Sequence, residues 1–224
     1  MRSDNYIQKI GKNYTRYLCY EKIKNKILYL ELKPGEVFTE AEISKMLNIG
    51  RTPAREALLL LEKEGLIRIK SNVGFIIRQF GAKEIDEYRI IRTFIEKHAL
   101  SLAIPKIKDR HLDQLKENLD NLQKSIQENH FLDSVKYETE FHELIYDAAE
   151  SEVVYETLEG INNKFLWIRA AAMSNRKAPL QCLEQHTKIL VEIENKDIKR
   201  AQKYMHQHIN SGWKKLTKSL VISV

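Results

Sequence analysis

The stretch IGRTPAREALLLLEKEGLIRI, from Ile49 to Ile69, decides how the chain is read. Its second half is buried helix in character, with Ala57, Leu58, Leu61 and Leu66 as core positions. Its first half brackets Thr52-Pro53 with Arg51 and Arg55. Thr52 is predicted to cap the helix, and Pro53 to sit in its first turn, where the missing N–H costs nothing. Two fixed positive charges at a helix start oppose the helix's own dipole. They become favourable when a phosphate lies opposite, because the first turn offers free N–H groups. Arginine can also pair bidentately with a guanine edge in the major groove. The competing expectation is that both arginines only pair with Glu56 or Glu62.

Working upstream, LKPGEVFTEAEI (Leu32–Ile43) is a turn feeding a helix. Pro34-Gly35 supplies the turn, and Thr39 with Glu42 forms a capping box. Ile43 and Leu47 lie one helical turn apart, and Asn48–Gly50 ends that helix. Downstream, GLIRIKSNVGFIIRQF (Gly65–Phe80) alternates Ile67 and Ile69 with charges, turns at Ser71-Asn72 and Gly74, and returns through FII. This predicts two short strands joined by a tight tip. With the opening helix RYLCYEKIKNKILYLEL, the order is helix, helix, turn, helix, hairpin, so residues 1–80 are expected to form a winged helix-turn-helix. In that fold the N-terminal end of the second helix of the helix-turn-helix meets the bases. Arg51 and Arg55 occupy it, and the Thr52 hydroxyl can donate to a phosphate. The wing tip, Asn72 to Gly74 with Lys70 nearby, is placed beside the minor groove or the backbone.

Charge supports the division. The chain carries +6 overall; residues 1–80 hold 15 Lys and Arg against 9 Asp and Glu, whereas residues 81–224 hold 22 of each. A basic module joined to a neutral one points to a polyanion partner for the first alone. No apolar run approaches the roughly 18 residues that span a bilayer, and the N-terminus lacks a secretory signal. Cys19 and Cys182 are read as free thiols of a cytoplasmic protein.

From Ala82 onward the pattern is helical. Six helices are expected, at about 83–104, 108–129, 131–149, 152–173, 180–195 and 197–221, with breakers at Pro105 and Pro179. Short connections predict an antiparallel bundle over residues 81–224. The fold class is therefore mainly α. Several polar residues fall on its apolar stripes. Arg92 shares a face with Ile85, Tyr88, Ile95, Ala99 and Leu102, and a buried guanidinium needs a partner. Glu96, one turn later, can serve, as can a bound carboxylate. Glu138 and His142 share the stripe of Val135, Ile145 and Ala149; His186 lies with Leu183 and Leu190; His208 follows Ala201 and Met205. Three histidines and a carboxylate on three helices suit a divalent transition metal. Helical phase alone leaves His206 as a rival to His208. His98, His111 and His130 carry no such expectation.

The run LKPGE…TEAEISKMLNIGRTPAREALLLLEKEGLI followed by NVGF resembles the DNA-binding domain of GntR-family transcription regulators, over about residues 16–80. The resemblance implies DNA contacts by Arg51, Thr52, Arg55 and Gly74. Gly50 stands where that family usually has Ser or Thr, which removes a cap or a phosphate contact. Residues 82–221 resemble the FCD domain of the FadR subfamily, near its VanR-like group. RTFIEKHALSLA matches an Arg-x-x-hydrophobic-Glu signature, and ETEFHELI, EQHTKIL and MHQHI match three metal-ligand segments. On those matches the implied ligands are Glu138, His142, His186 and His208. Glu138 replaces the more usual Asp and adds a methylene.

The function expected from these features is a metabolite-responsive, DNA-binding regulator, a repressor acting as a homodimer on two-fold-related operator DNA. A small carboxylate effector is expected at the metal and Arg92. Zinc suits the donors first, with nickel, manganese or iron also compatible. Two other readings remain: a metal-dependent enzyme using the same site, and a purely structural metal.

Overall fold

The computed structural model describes residues 2–71, 73–79, 81–158, 170 and 177–220, with side chains over 15–71, 73–79, 81–158, 170 and 177–212. The chain separates into two compact units, Met1–Gln79 and Phe80–Val224. Among the described residues, no helix is long and apolar enough to cross a membrane.

The first unit runs α1 (Arg2–Leu28), β1 (Val37–Phe38), α2 (Glu40–Leu47), α3 (Arg51–Lys63), β2 (Ile67–Lys70) and β3 (Gly74–Ile77). Ile23 and Ile27 of α1, Ile43 of α2, and Ala54, Ala57, Leu58 and Leu61 of α3 are buried together with Leu66, Ile67 and Ile77. The predicted capping box is present. Glu42 N–H donates to Thr39 Oγ1 at 3.2 Å, and Thr39 N–H donates to Glu42 Oε2 at 2.7 Å. Asn48 closes α2 in the left-handed region at φ 53°. The sheet is antiparallel in the order β1-β3-β2. Its first strand, two residues long, was not expected from the sequence. Val37 pairs with Ile76 and Phe38 with Phe75, whose rings stack 6.1 Å apart.

Three expectations about helix ends need correction. The N-cap of α3 is Gly50, with no side-chain cap, so Thr52 lies inside the first turn and does not cap it. Pro179 falls in the first turn of its helix and so starts it, rather than breaking the chain before it. The opening helix begins at Arg2, not near Arg16; Tyr6, Ile7, Ile10 and Tyr14 already carry the three- and four-residue spacing of a helix upstream of 16.

The second unit contains α4 (Ala82–Ala103), a 3₁₀ turn (Ile104–Lys106), α5 (Asp109–Gln127), α6 (Phe131–Ala149), a helical segment at 152–158, α7 (Ala178–Glu194) and α8 (Ile198–Leu220). The helix expected over 152–173 lies outside the described residues beyond 158, except at 170. Helix α4 packs on α6 and α8, α5 on α6 and α7, and α7 on α8. Leu100, Leu115, Phe141, Ile145, Tyr146, Ile189, Ile193 and Met205 form the centre of one apolar core. Burying each such side chain contributes roughly 1.5–3 kcal/mol relative to leaving it exposed. That core sets the helical phase of every polar residue described next.

Candidate functional site

In the helical unit, Glu138 and His142 (α6), His186 (α7) and His208 (α8) each turn one ligand atom toward a common point, all within 4.8 Å of one another. The Nε2 atoms of His142 and His186 each stand 3.3 Å from Nε2 of His208. Glu138 Oε1 lies 3.6 Å from His142 Nε2 and 3.8 Å from His208 Nε2. Nitrogens bonded to one ion at about 2.0–2.1 Å and tetrahedral angles stand roughly 3.3–3.4 Å apart. The donor set and its spacing therefore fit a divalent transition metal. His206 is exposed and its ring faces Asn210 on its own helix, so His208 is the histidine that turns inward.

The proton positions suit ligation. Burial pushes His208 down to about 4, against a hydrogen bond to the Glu138 carboxylate that pulls it up. Burial also drives His186 well below its ordinary value, and the neighbouring His208 and His142 push the same way. Both rings are neutral at pH 7 and keep a lone pair for a cation. The outward nitrogens are held from behind. His142 Nδ1 donates to Glu96 Oε2 at 2.8 Å, and His208 Nδ1 donates to Gln185 Oε1 at 3.0 Å. These bonds leave Nε2 of each ring facing the common point, which is the usual division of labour around a metal-bound imidazole. Phe141 stacks on His186 with ring centroids 4.0 Å apart.

Glu96 is completely buried and ties this centre to Arg92. Arg92 Nε donates to Glu96 Oε1 at 2.7 Å, and the Tyr146 hydroxyl donates to the same oxygen at 2.8 Å. Burial alone would raise the Glu96 pKa. The neighbouring His142 and Arg92, with their hydrogen bonds to it, outweigh that and hold its carboxyl well below the usual carboxylate range. Arg92 keeps one unused donor: its Nη2 is buried and has no hydrogen-bond partner. Sequence reasoning paired Glu96 with Arg92 but missed its bond to His142, and it missed Tyr146 and Gln185. Tyr146 lies one turn beyond His142, a spacing that could have pointed to it.

In the first unit, Arg51 and Thr52 are exposed at the start of α3, and the Arg55 side chain is 66% exposed. Arg55 Nε lies 3.6 Å from Glu40 Oε1, so its neighbour is Glu40 of α2 rather than Glu56 or Glu62. No acidic residue occupies the first turn of α3. Lys70 ends β2, exposed, opposite Gly74 at the start of β3. Lys70, Gly74 and Arg55 border one groove between α3 and the hairpin. Asn72, the other wing residue expected at DNA, lies outside the described residues.

Comparisons with known proteins match both units. Residues 18–77 match the family model "Bacterial regulatory proteins, gntR family", and residues 88–211 match the FCD domain. The chain is 29% identical over 204 residues to the HTH-type transcriptional regulator YdhC of Bacillus subtilis, covering 90% of this chain and 91% of that one. It is 25% identical over 190 residues to the HTH-type transcriptional repressor RspR of Escherichia coli, covering 85% and 83%. Among solved structures, E. coli McbR/YncC has a similar fold, with a TM-score of 0.75 at 20% identity, over 92% of this chain and 98% of that one.

Proposed function

Because the chain belongs to the GntR family of bacterial regulatory proteins and carries an FCD domain, we propose that it represses its operator until a small organic acid occupies a metal centre in the helical unit. It is a transcription regulator, like the relatives it matches, and not an enzyme. The observation that carries the effector reading is the buried, unpartnered Nη2 of Arg92, one carboxylate away from the histidine cluster. A carboxylate is the natural partner for such a guanidinium.

On this reading Glu138, His142, His186 and His208 hold the metal. Bound there, the metal would supply a Lewis-acidic position for an oxygen of the effector. Glu96 orients His142 and anchors Arg92, and Gln185 orients His208. Arg92 presents Nη2 to the acid's carboxylate. In the other unit Arg51, Thr52 and Arg55 meet DNA at the uncapped start of α3, and Lys70, Asn72 and Gly74 do so at the wing. Exposed Ile90, Ile91 and Phe94 on α4 offer an apolar face for a second copy, and a homodimer would match a two-fold operator. Repression is supported by the similarity to RspR, a transcriptional repressor. Release requires that the acid bind more tightly to the chain off DNA than on it.

Two variants separate the units. Arg55→Ala is expected to cost on the order of 1–3 kcal/mol of specific operator binding with metal content unchanged. His186→Ala is expected to lose metal and effector response while keeping operator binding. Gel-shift titrations with a panel of small carboxylates, beside metal analysis of each variant, measure both. An operator complex indifferent to every acid would overturn induction, and an unaffected Arg55→Ala would overturn the DNA interface.

A further inference from the structure

We propose that Ser211 is a positioning residue for the metal centre, fixing through Gln185 which nitrogen of His208 carries the proton. The inference rests on the reading of His208 as a metal ligand. Ser211 follows His208 by one turn on α8, and Gln185 immediately precedes His186 on α7. The three residues close a ring of hydrogen bonds. His208 Nδ1 donates to Gln185 Oε1 at 3.0 Å, Gln185 Nε2 donates to Ser211 Oγ at 2.9 Å, and Ser211 Oγ donates to the backbone oxygen of His208 at 2.9 Å. Each residue gives one proton and accepts one, so the bonds run in a single direction. Ser211 Oγ also lies 3.1 Å from Gln185 Oε1. Its one proton can serve that oxygen or the backbone oxygen, and in either case Oε1 still faces His208 as an acceptor.

A neutral imidazole has one N–H, and only its bare nitrogen can bind a cation. His142 needs no further help, because the ionised Glu96 carboxylate behind it can only accept. His208 is backed by an amide, which offers an acceptor at one end and a donor at the other. Turned over, that amide would present Nε2 to His208 Nδ1 and force the ring proton onto His208 Nε2, the side facing the other donors. Glu138 draws the proton the same way, since its Oε1 is 3.8 Å from His208 Nε2. A proton there blocks ligation. Ser211 opposes the turn. With the amide reversed, Gln185 Oε1 would claim the Ser211 proton, and the backbone oxygen of His208 would lose it. Gln185 and Ser211 are half-buried and line a groove between α7 and α8 with Tyr204 and Gln207. Without the Ser211 hydroxyl, water in that groove would serve either end of the amide equally well.

Long-range nitrogen–proton correlation NMR of the metal-free, full-length protein reads the tautomer directly, and competition with a chelating dye reads zinc affinity. The parent is expected to show His208 protonated at Nδ1 alone, its signals assigned by their absence from His208→Asn. Ser211→Ala should bring in the Nε2–H form and weaken zinc binding about fivefold, the scale of one net hydrogen bond. A loss through packing would weaken zinc binding without moving the proton. Gln185→Glu supplies a carboxylate, which accepts whichever way it is turned. In that background Ser211→Ala should change neither the tautomer nor the zinc affinity. An Nε2–H form in the parent, an unchanged tautomer in Ser211→Ala, or the same loss in the Gln185→Glu background overturns the proposal. Zinc failing to bind the parent overturns the metal reading instead, and the tautomer populations still decide the role of Ser211.

Discussion

At the scale of single residues, Glu96 does the most for its size. It accepts from Arg92, Tyr146 and His142 while completely buried. Removing one partner of a buried ion pair typically costs about 3–5 kcal/mol, because the other charge is left behind. Glu96→Gln keeps the shape, so its loss of stability reports the charge. The same substitution should weaken metal binding about 10–100-fold, since His142 loses the carboxylate that orients it. The pH dependence follows from the depressed pKa. In the unfolded chain Glu96 titrates near about 4.3; in the folded chain it titrates lower. Its contribution is present above the unfolded value and is lost as pH falls through the folded one. Urea melts at pH 6 and pH 3 should show the parent losing an increment of stability that Glu96→Gln lacks; parallel losses would refute the assignment. Sequence pattern marked Glu96 only as the i+4 partner of Arg92. Its bond to His142 joins residues 46 positions apart, and no local periodicity reports a contact of that separation.

At the scale of elements, spacing was informative wherever a helix buries one face. The stripes of α4, α6, α7 and α8 could be read because period 3.6 persists over several turns. Short elements carry no such repeat. Strand β1 is two residues long and owes its existence to β3, against which it pairs. The first turn of α3 was misread because Thr and Pro both occur there and either signals a start. Gly74 shows how tightly β1 and β3 approach. Its φ is +124°, and a Cβ there would stand 2.6 Å from the Phe38 carbonyl oxygen. Neither the angle nor the distance admits a side chain without movement. Gly74→Ala is expected to cost about 2 kcal/mol, or about 10 °C in the melting temperature of a unit this small. An unshifted melting temperature would mean that the wing yields at no cost.

At the scale of the whole molecule, the chain divides a charged surface from a buried donor cluster. The excess of basic residues in the first 80 positions already separated the two in the sequence. That four donors from three helices converge could be anticipated from phase alone. Which of His206 and His208 turns inward could not, because both lie near the boundary of the apolar face of α8. If the cluster holds metal, its stability must be local. Binding to the folded state alone adds about 4 kcal/mol when free metal exceeds Kd a thousandfold. For a unit of about 150 residues that is about 10 °C. Both tryptophans, Trp167 and Trp213, belong to the sequence of the second unit. Tryptophan fluorescence therefore follows that unit, while circular dichroism follows both. Adding a strong chelator should lower the fluorescence-detected transition by about 10 °C and leave the remaining, wing-unit part of the dichroism transition in place. His186→Ala should melt at the lower temperature with or without chelator. Equal shifts by both probes would mean that metal stabilises the units together; no shift in the parent would mean that the convergent histidines are held by packing and hydrogen bonds alone.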